Sequence, residues 1–428
     1  MRIPVYQRLD GTTSHGSSHP PSGGFSDDRN VNVISSIIKS KMSIQIINVK
    51  IITPFQTIEN GEVFVSNEGK ILYAGFMHAS EKQSGQSINA AGYSLAPGLI
   101  DIHVHGGYGV AFGLADLRES LQKYSQWVLK TGVTGFLLSI AAQDAETLLG
   151  LIQSYIPILE DGVTGAQALG LHLEGPYINI EKKGALNPTW LRKPDIKEVN
   201  SIIKAGKGWI KQVTMAPELE NADLIAEAFR EANVIVALGH SNTDFKTASN
   251  ALKNDFSHIT HTFNAQSSFN HRKPGVIGAV MASDHVTAEL IADKVHVHPG
   301  AMKILYRCLG KERIILITDA MPGTGLPDGT YDLVGQEVIV KDGHANLTDG
   351  TIAGSTARLI DCVANIHQDL NISLNDAFQS ATHNPAKLLG LQDHLGAIEE
   401  GMDANLIIFD EEFNIRFVLV QGKIVYQV

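Results

Sequence analysis

The chain has 428 residues, 43% of them hydrophobic and 18% charged, enough for one large buried core with a smaller one beside it. A formal charge of -11 argues against nucleic acid or an anionic membrane as the main partner, while leaving room for a local basic pocket that holds an acidic ligand. Cys308 and Cys362 lie in segments that read as helices and suit a reduced, cytoplasmic compartment. No run approaches the roughly 18 apolar residues of a membrane span.

Residues 1–42 are expected to form a disordered extension. Gly11 to Arg29 is rich in Ser, Gly, Pro, His and Asp, and it lacks the uninterrupted apolar core of a secretory signal. Its His15 and His19 read as part of a solvated tail. From Ser43 the chain is patterned. Residues 43–95 carry short β-rich runs, Ile44 to Ile52, Gly61 to Val65 and Lys70 to Ala74, broken by turns such as Asn67-Glu68-Gly69. Residues 395–428 have the same character, so the two ends are expected to pair into one small β-sandwich domain.

Between them, residues 96–394 alternate apolar strands with amphipathic helices, the pattern of a parallel sheet. Eight strands are predicted: Leu99–His105, Gly135–Ile140, Ala168–Glu174, Gln212–Pro217, Val234–His240, His258–Phe263, Ala288–Ala292 and Ile314–Asp319. Helical patterns over Asp116–Lys130, Ala145–Leu159, Asp195–Ala205, Ala222–Ala232 and Thr243–Lys253 separate many of them. That count is the count of an α/β fold of the (β/α)8, TIM-like barrel type. A doubly wound open sheet is the runner-up, but no dinucleotide glycine fingerprint opens a helix.

The barrel reading gathers the polar residues. Side chains alternate faces along a strand, so His103 and His105 point the same way and form a pincer for a first-row metal. Glu174 ends strand three, His240 strand five, His261 strand six and Asp319 strand eight. Active sites of this fold are built at those ends, so all six converge on one mouth. Such a donor set points to metal-assisted hydrolysis, and Asp319, with no basic residue beside it, suits a general base. Imidazole and carboxylate accept Zn, Fe, Mn or Co, and the set has room for one or two divalent ions.

At these residues the chain resembles the amidohydrolase superfamily, and within it the N-acetylglucosamine-6-phosphate deacetylases. The resemblance is carried by Pro97-Gly98-Leu99-Ile100-Asp101-Ile102-His103-Val104-His105-Gly106, His172-Leu173-Glu174-Gly175-Pro176, Gly239-His240-Ser241-Asn242-Thr243, Thr260-His261-Thr262-Phe263-Asn264-Ala265 and Thr318-Asp319-Ala320. It implies that Glu174 is a ligand shared between His240 with His261 and His103 with His105. Dihydroorotase-like relatives use a carboxylated lysine of strand four instead; here strand four has only Lys211, at its start.

The resemblance also implies hydrolysis of the acetamide of a phosphorylated N-acetylated amino sugar. N-acetylgalactosamine-6-phosphate is the alternative substrate, and a non-catalytic scaffold, which would be expected to have lost ligands, is the alternative from another class. Backbone N–H groups of Asn264 and Ala265 and the side chain of Arg272 are the expected phosphate donors, with Arg272 reaching across a homodimer interface as in relatives. His296 matches a sugar-contacting histidine. Leu186 departs from the pattern, since relatives carry His or Gln there.

Overall fold

A computed structural model of the protein describes residues 42–77, 85–114, 116–333 and 335–428. The extension expected over 1–42 therefore lies, Met42 apart, outside the described residues.

The central sheet holds eight parallel strands in chain order: β1 (Leu99–Asp101), β2 (Val133–Ala141), β3 (Gln167–Glu174), β4 (Ile210–Met215), β5 (Ile235–Leu238), β6 (His258–Ile259), β7 (Thr287–Ile291) and β8 (Ile314–Ile317). Beyond the regular ends of β1 and β8 the two segments meet. Asp319 donates its N–H to the His103 carbonyl at 2.9 Å, and His105 donates to the Ala320 carbonyl at 2.9 Å, which closes the barrel. Helices α1 (Leu117–Val128), α2 (Ala145–Asp161), α3 (Ile196–Gly206), α4 (Ala222–Glu231), α5 (Phe245–Lys253), α6 (Gly275–Met281), α7 (Pro299–Leu309) and α8 (Leu359–Leu370) fill the connections. Asp116, Asp144, Asp195 and Asp244 each begin a helix by accepting an amide N–H of its first turn. In α2, Leu148, Ile152, Tyr155, Ile156 and Leu159 recur at helical spacing and are buried.

Strand alternation divides the barrel. Phe136, Leu138, Leu171, Leu173, Val213, Met215, Ala288, Leu290 and Leu316 face outward into the main core. Ile100, Ile102, Leu137, Ile315 and Ile317 face inward as an apolar plug. Above the plug the inward positions turn polar: Ser139, His172, Gln212, Thr214, His258, Thr260 and Glu289 are all buried. The candidate ligands stand above this polar floor.

The two ends of the described chain share one mixed sheet. Its path runs through Lys423–Gln427, Ile415–Val420, Leu406–Phe409, Ser94–Pro97, Met42–Ile52, Thr57–Ser66 and Ile71–Phe76, with Gln86–Asn89 also paired to Met42–Ile52. Its own core includes Ile46, Val49, Ile51, Val63, Leu95, Leu406, Ile408 and Leu419. A second antiparallel sheet, Gly329–Leu333, Gln336–Lys341 and His344–Leu347, is inserted between β8 and α8. The sequence reading assigns this stretch to the barrel without strands of its own. Among the described residues, no helix is long and apolar enough to cross a membrane.

Candidate active site

Each predicted ligand sits at or just past the C-terminal end of its strand. Glu174 is the last residue of β3, whereas His240, His261 and Asp319 each follow their strand by two residues. These three adopt left-handed backbone, with φ of 48°, 29° and 51°. Residues other than glycine rarely do so, and such strain concentrates at functional sites. The chain turns sharply at each of them and aims the side chain across the mouth. One expectation needs correction: His103 and His105 are not on a regular strand. The ladder stops at Asp101 and the backbone bends at Ile102, so Ile102 joins the inward plug and His103 still faces inward. The two imidazole Nε2 atoms are 3.3 Å apart, so the pincer forms by way of a bend rather than by simple alternation.

The donor atoms form two groups, His103, His105 and Asp319 in one and Glu174, His240 and His261 in the other. Glu174 joins them. Its Oε1 lies 3.0 Å from His240 Nε2, 3.1 Å from His261 Nε2 and 3.5 Å from His103 Nε2, and its Oε2 lies 3.2 Å from His105 Nε2. Asp319 Oδ1 is 3.4 Å from His105 Nε2 and 3.6 Å from His103 Nε2.

The outer nitrogens are held from behind. His240 Nδ1–H donates to the Lys182 carbonyl at 2.7 Å, and His103 Nδ1–H donates to Glu289 Oε2 at 2.9 Å. With those protons committed, a neutral imidazole presents a bare Nε2, and a bare nitrogen facing a carboxylate oxygen is relieved by positive charge, either a second ring proton or a bound cation. His240 Nε2 and His261 Nε2 face each other at 3.0 Å, close enough to serve one ion together. The donor set therefore fits a divalent metal in either group.

The electrostatics express the same need. Burial pulls the His105 imidazole down, but the Asp319 and Glu174 carboxylates outweigh it and raise its pKa to about 9. Burial pushes Glu174 up, yet four surrounding imidazoles hold it well below the usual carboxylate range. Asp319 is likewise lowered, burial being overcome by His103 and His105. Two carboxylates thus stay ionised among neighbours that compete to carry positive charge.

Asp319 is braced on both sides. Its carbonyl accepts the Ser355 N–H at 2.7 Å, and neighbouring Thr318 donates its hydroxyl to Asp101 at 2.6 Å. Gly239 shows why a glycine precedes His240. A Cβ there would lie 2.7 Å from both Thr214 Cγ2 and Thr260 Cβ.

A cavity of about 400 Å³ opens over these groups. His105, Glu174, His240, His261 and Asp319 line it, as do Asn264, Ala265 and His296. His296 is held by Asp293, whose Oδ2 accepts Nδ1–H at 2.7 Å. Burial lowers His296, but that carboxylate more than compensates and the net shift is upward. Asn264 differs from expectation in one respect: its backbone N–H is spent on the His261 carbonyl at 3.0 Å and its side-chain amide nitrogen donates to the His261 and Thr262 carbonyls at 3.3 and 3.4 Å, so its side-chain oxygen is what remains for a ligand. Arg272 is not brought into this cavity. It is exposed on a loop beside Phe269, which is 57% exposed. Leu186, Leu333, Trp190 and Ile352 make one wall apolar. Gln336 of the inserted sheet also lines the cavity and donates to the Ala185 carbonyl.

The polar floor lies outside the residues expected to form the site. Glu289, His258 and His172 are buried beneath the ligands, and the available signal for Glu289 was a carboxylate set in the apolar run of β7. His172, on the same face of β3 as Glu174, bridges the Ser139 and Thr214 hydroxyls at 2.9 and 2.8 Å. Burial holds it well below the ordinary histidine value, so it is neutral. On β4, Lys211 instead reaches back to the Gly208 carbonyl at 2.9 Å, away from the mouth.

A family model described as the amidohydrolase family matches residues 94–425. The chain is 34% identical over 387 residues to the N-acetylglucosamine-6-phosphate deacetylase of Bacillus subtilis, covering 90% of this chain and 97% of the relative. It is also 34% identical over 330 residues to an N-acetylgalactosamine-6-phosphate deacetylase of Escherichia coli O157:H7, covering 77% and 87%. Among solved structures, a variant deacetylase of Mycobacterium smegmatis in complex with N-acetyl-D-glucosamine-6-phosphate matches with a TM-score of 0.84 at 28% identity, covering 90% of this chain and all of that one. The chain belongs to the amidohydrolase family. Within it, the chain is a hydrolase of the branch that holds the N-acetylglucosamine-6-phosphate deacetylases.

Proposed function

We propose that the protein hydrolyses the acetamide of N-acetylglucosamine-6-phosphate, releasing glucosamine-6-phosphate and acetate. The observation that carries this reading is one carboxylate, Glu174, within 3.5 Å of four imidazole nitrogens, with Asp319 beside them at the floor of a cavity. His103, His105 and Asp319 would hold one divalent ion and His240 with His261 another, Glu174 serving both; zinc, iron, manganese and cobalt all suit these donors. When bound, a divalent metal supplies Lewis acidity towards the amide carbonyl and acidifies water.

The protein's own groups do the rest. Asp319, ionised and rigidly presented, accepts the proton of the attacking water. As the C–N bond breaks, it returns that proton to the departing nitrogen, while the second water proton stays on the new carboxyl group, so acetic acid and a neutral amine separate and the acid ionises to acetate on release. His296, its Nδ1 tied to Asp293, turns Nε2 towards the sugar, and the Asn264 side-chain oxygen is left to accept from a sugar hydroxyl. Arg272 lies outside its own cavity, which suits a guanidinium that serves the phosphate in a partner subunit of a homodimer.

The test is turnover of N-acetylglucosamine-6-phosphate, N-acetylgalactosamine-6-phosphate and unphosphorylated N-acetylglucosamine, before and after chelation. Highest kcat/KM for the first sugar, abolished by chelator and restored by divalent metal, is expected. Preference for the galacto sugar would move the assignment to that of the Escherichia coli relative. Full activity in rigorously metal-free protein would end the reading.

A further inference from the structure

Glu289 is an ionisable group that the reaction above does not use. It sits mid-strand on β7, fully buried and inward-facing, one layer below the ligands. Its two oxygens receive four donors. Oε2 takes His103 Nδ1–H at 2.9 Å and the His261 backbone N–H at 2.9 Å. Oε1 takes the Gln212 amide at 2.8 Å and His258 Nε2–H at 3.2 Å.

Burying a carboxylate is costly, and apolar residues of similar size usually serve a barrel interior at least as well. A saturated carboxylate here points to a task beyond packing. That task follows from His103. A neutral imidazole carries one proton, and the carboxylate fixes it on Nδ1, so the lone pair at Nε2 is turned to the mouth. The charge behind the ring also makes that nitrogen a better donor to a metal. The other group is built differently: His240 is held by the neutral carbonyl of Lys182, and His261 Nδ1 has no hydrogen-bond partner among the described residues. The loop at His261 has ties besides Glu289 Oε2, since Thr262 N–H donates to the Glu289 backbone carbonyl at 3.0 Å and Gln266 holds the Thr260 carbonyl at 2.9 Å.

We propose that Glu289 is the positioning residue of the His103–His105–Asp319 seat: through His103 it sets how tightly this seat holds its ion, while the Glu174–His240–His261 seat keeps its ion without it. The proposal rests on the metal reading above and makes a claim that reading does not, that the two seats differ in their dependence on a single buried carboxylate.

Two substitutions grade the effect. Glu289→Gln can be absorbed locally. Its amide oxygen keeps the His103 and His261 donors, Gln212 can turn its partnerless buried Oε1 towards the new amide, and His258 can move its proton to Nδ1, 2.6 Å from Thr287 Oγ1. This variant loses only the charge. Glu289→Met loses the acceptor as well. The readout is zinc per subunit during titration with a graded chelator, with near-ultraviolet circular dichroism and melting to confirm the fold.

The expected result is two ions per wild-type subunit and an affinity at one seat weakened about ten- to a hundredfold in Glu289→Gln. Glu289→Met should hold a single ion. In a His103→Ala background, Glu289→Gln should change nothing further. Unchanged binding of two ions in folded Glu289→Met would overturn the proposal, as would parallel weakening of both seats or a single ion in wild type. Wild type that binds no metal at all would sink the metal reading itself, a separate outcome.

Discussion

Asp319 is held in left-handed backbone with its carbonyl and the neighbouring Thr318 hydroxyl both bonded, so its carboxylate has little freedom to drift. Asp319→Asn is nearly isosteric but cannot take a proton from water. With zinc in excess, so that the seat Asp319 helps to form stays filled, it should lower kcat by at least about a hundredfold, the ordinary contribution of a general base, with KM largely kept. Steady-state kinetics alongside metal analysis separate the outcomes: lost metal with lost activity would make Asp319 chiefly a ligand, and near-wild-type kcat would remove it from the mechanism. The identity of the ligands is legible in the sequence because each ends an apolar run. Their backbone is not. Left-handed φ at His240, His261 and Asp319 arises from the need to cross the mouth, which no local propensity announces.

Among the elements, β5 and the turn after it depend on an absent side chain. Gly239→Ala would drive a methyl group into Thr214 and Thr260, forcing the strand end outward and His240 with it. A loss of about 1–3 kcal/mol is expected from overpacking of this kind, together with reduced zinc content. Urea unfolding and metal analysis test both. The turn joining Leu406–Phe409 to Ile415–Val420 makes a pH-dependent contribution. Burial raises the Asp410 pKa, but Asn414 and Arg416 donate to its carboxylate and bring it below the ordinary value. A lowered folded pKa gives stability that is complete above the unfolded pKa, about 4, and is lost as pH falls through the folded value. The stability gap between wild type and Asp410→Asn should therefore shrink between pH 5 and the acid limit. A gap that does not change with pH would mean the carboxylate's charge is irrelevant. The eight barrel strands are legible because parallel strands buried on both faces read as apolar runs. The inserted sheet is not, since Gly329–Leu333 and His344–Leu347 are short and largely polar; the turn at Asp342-Gly343 was the usable signal. The bend at Ile102 escapes any argument that treats a strand as regular.

For the whole molecule, the open question is whether one subunit holds a complete site. Arg272→Ala should weaken kcat/KM for the phosphorylated sugar far more than for the unphosphorylated one. Mixing that variant with Asp319→Asn subunits should restore part of the activity if the guanidinium serves a partner. No recovery in mixed dimers shown to form would place Arg272 in its own subunit's service. The shared terminal sheet has a consequence in time rather than space. Ser94–Pro97 bonds along one edge to Leu406–Phe409, with Leu95 opposite Ile408. During synthesis that partner emerges roughly 300 residues later, tens of seconds at about 5–20 residues per second. Through that interval a finished barrel front would carry an open strand edge and an uncovered Leu95. The nascent chain is then most vulnerable to pairing with a neighbour on the same message, and shelter from chaperones would matter most before residue 406 has cleared the ribosome.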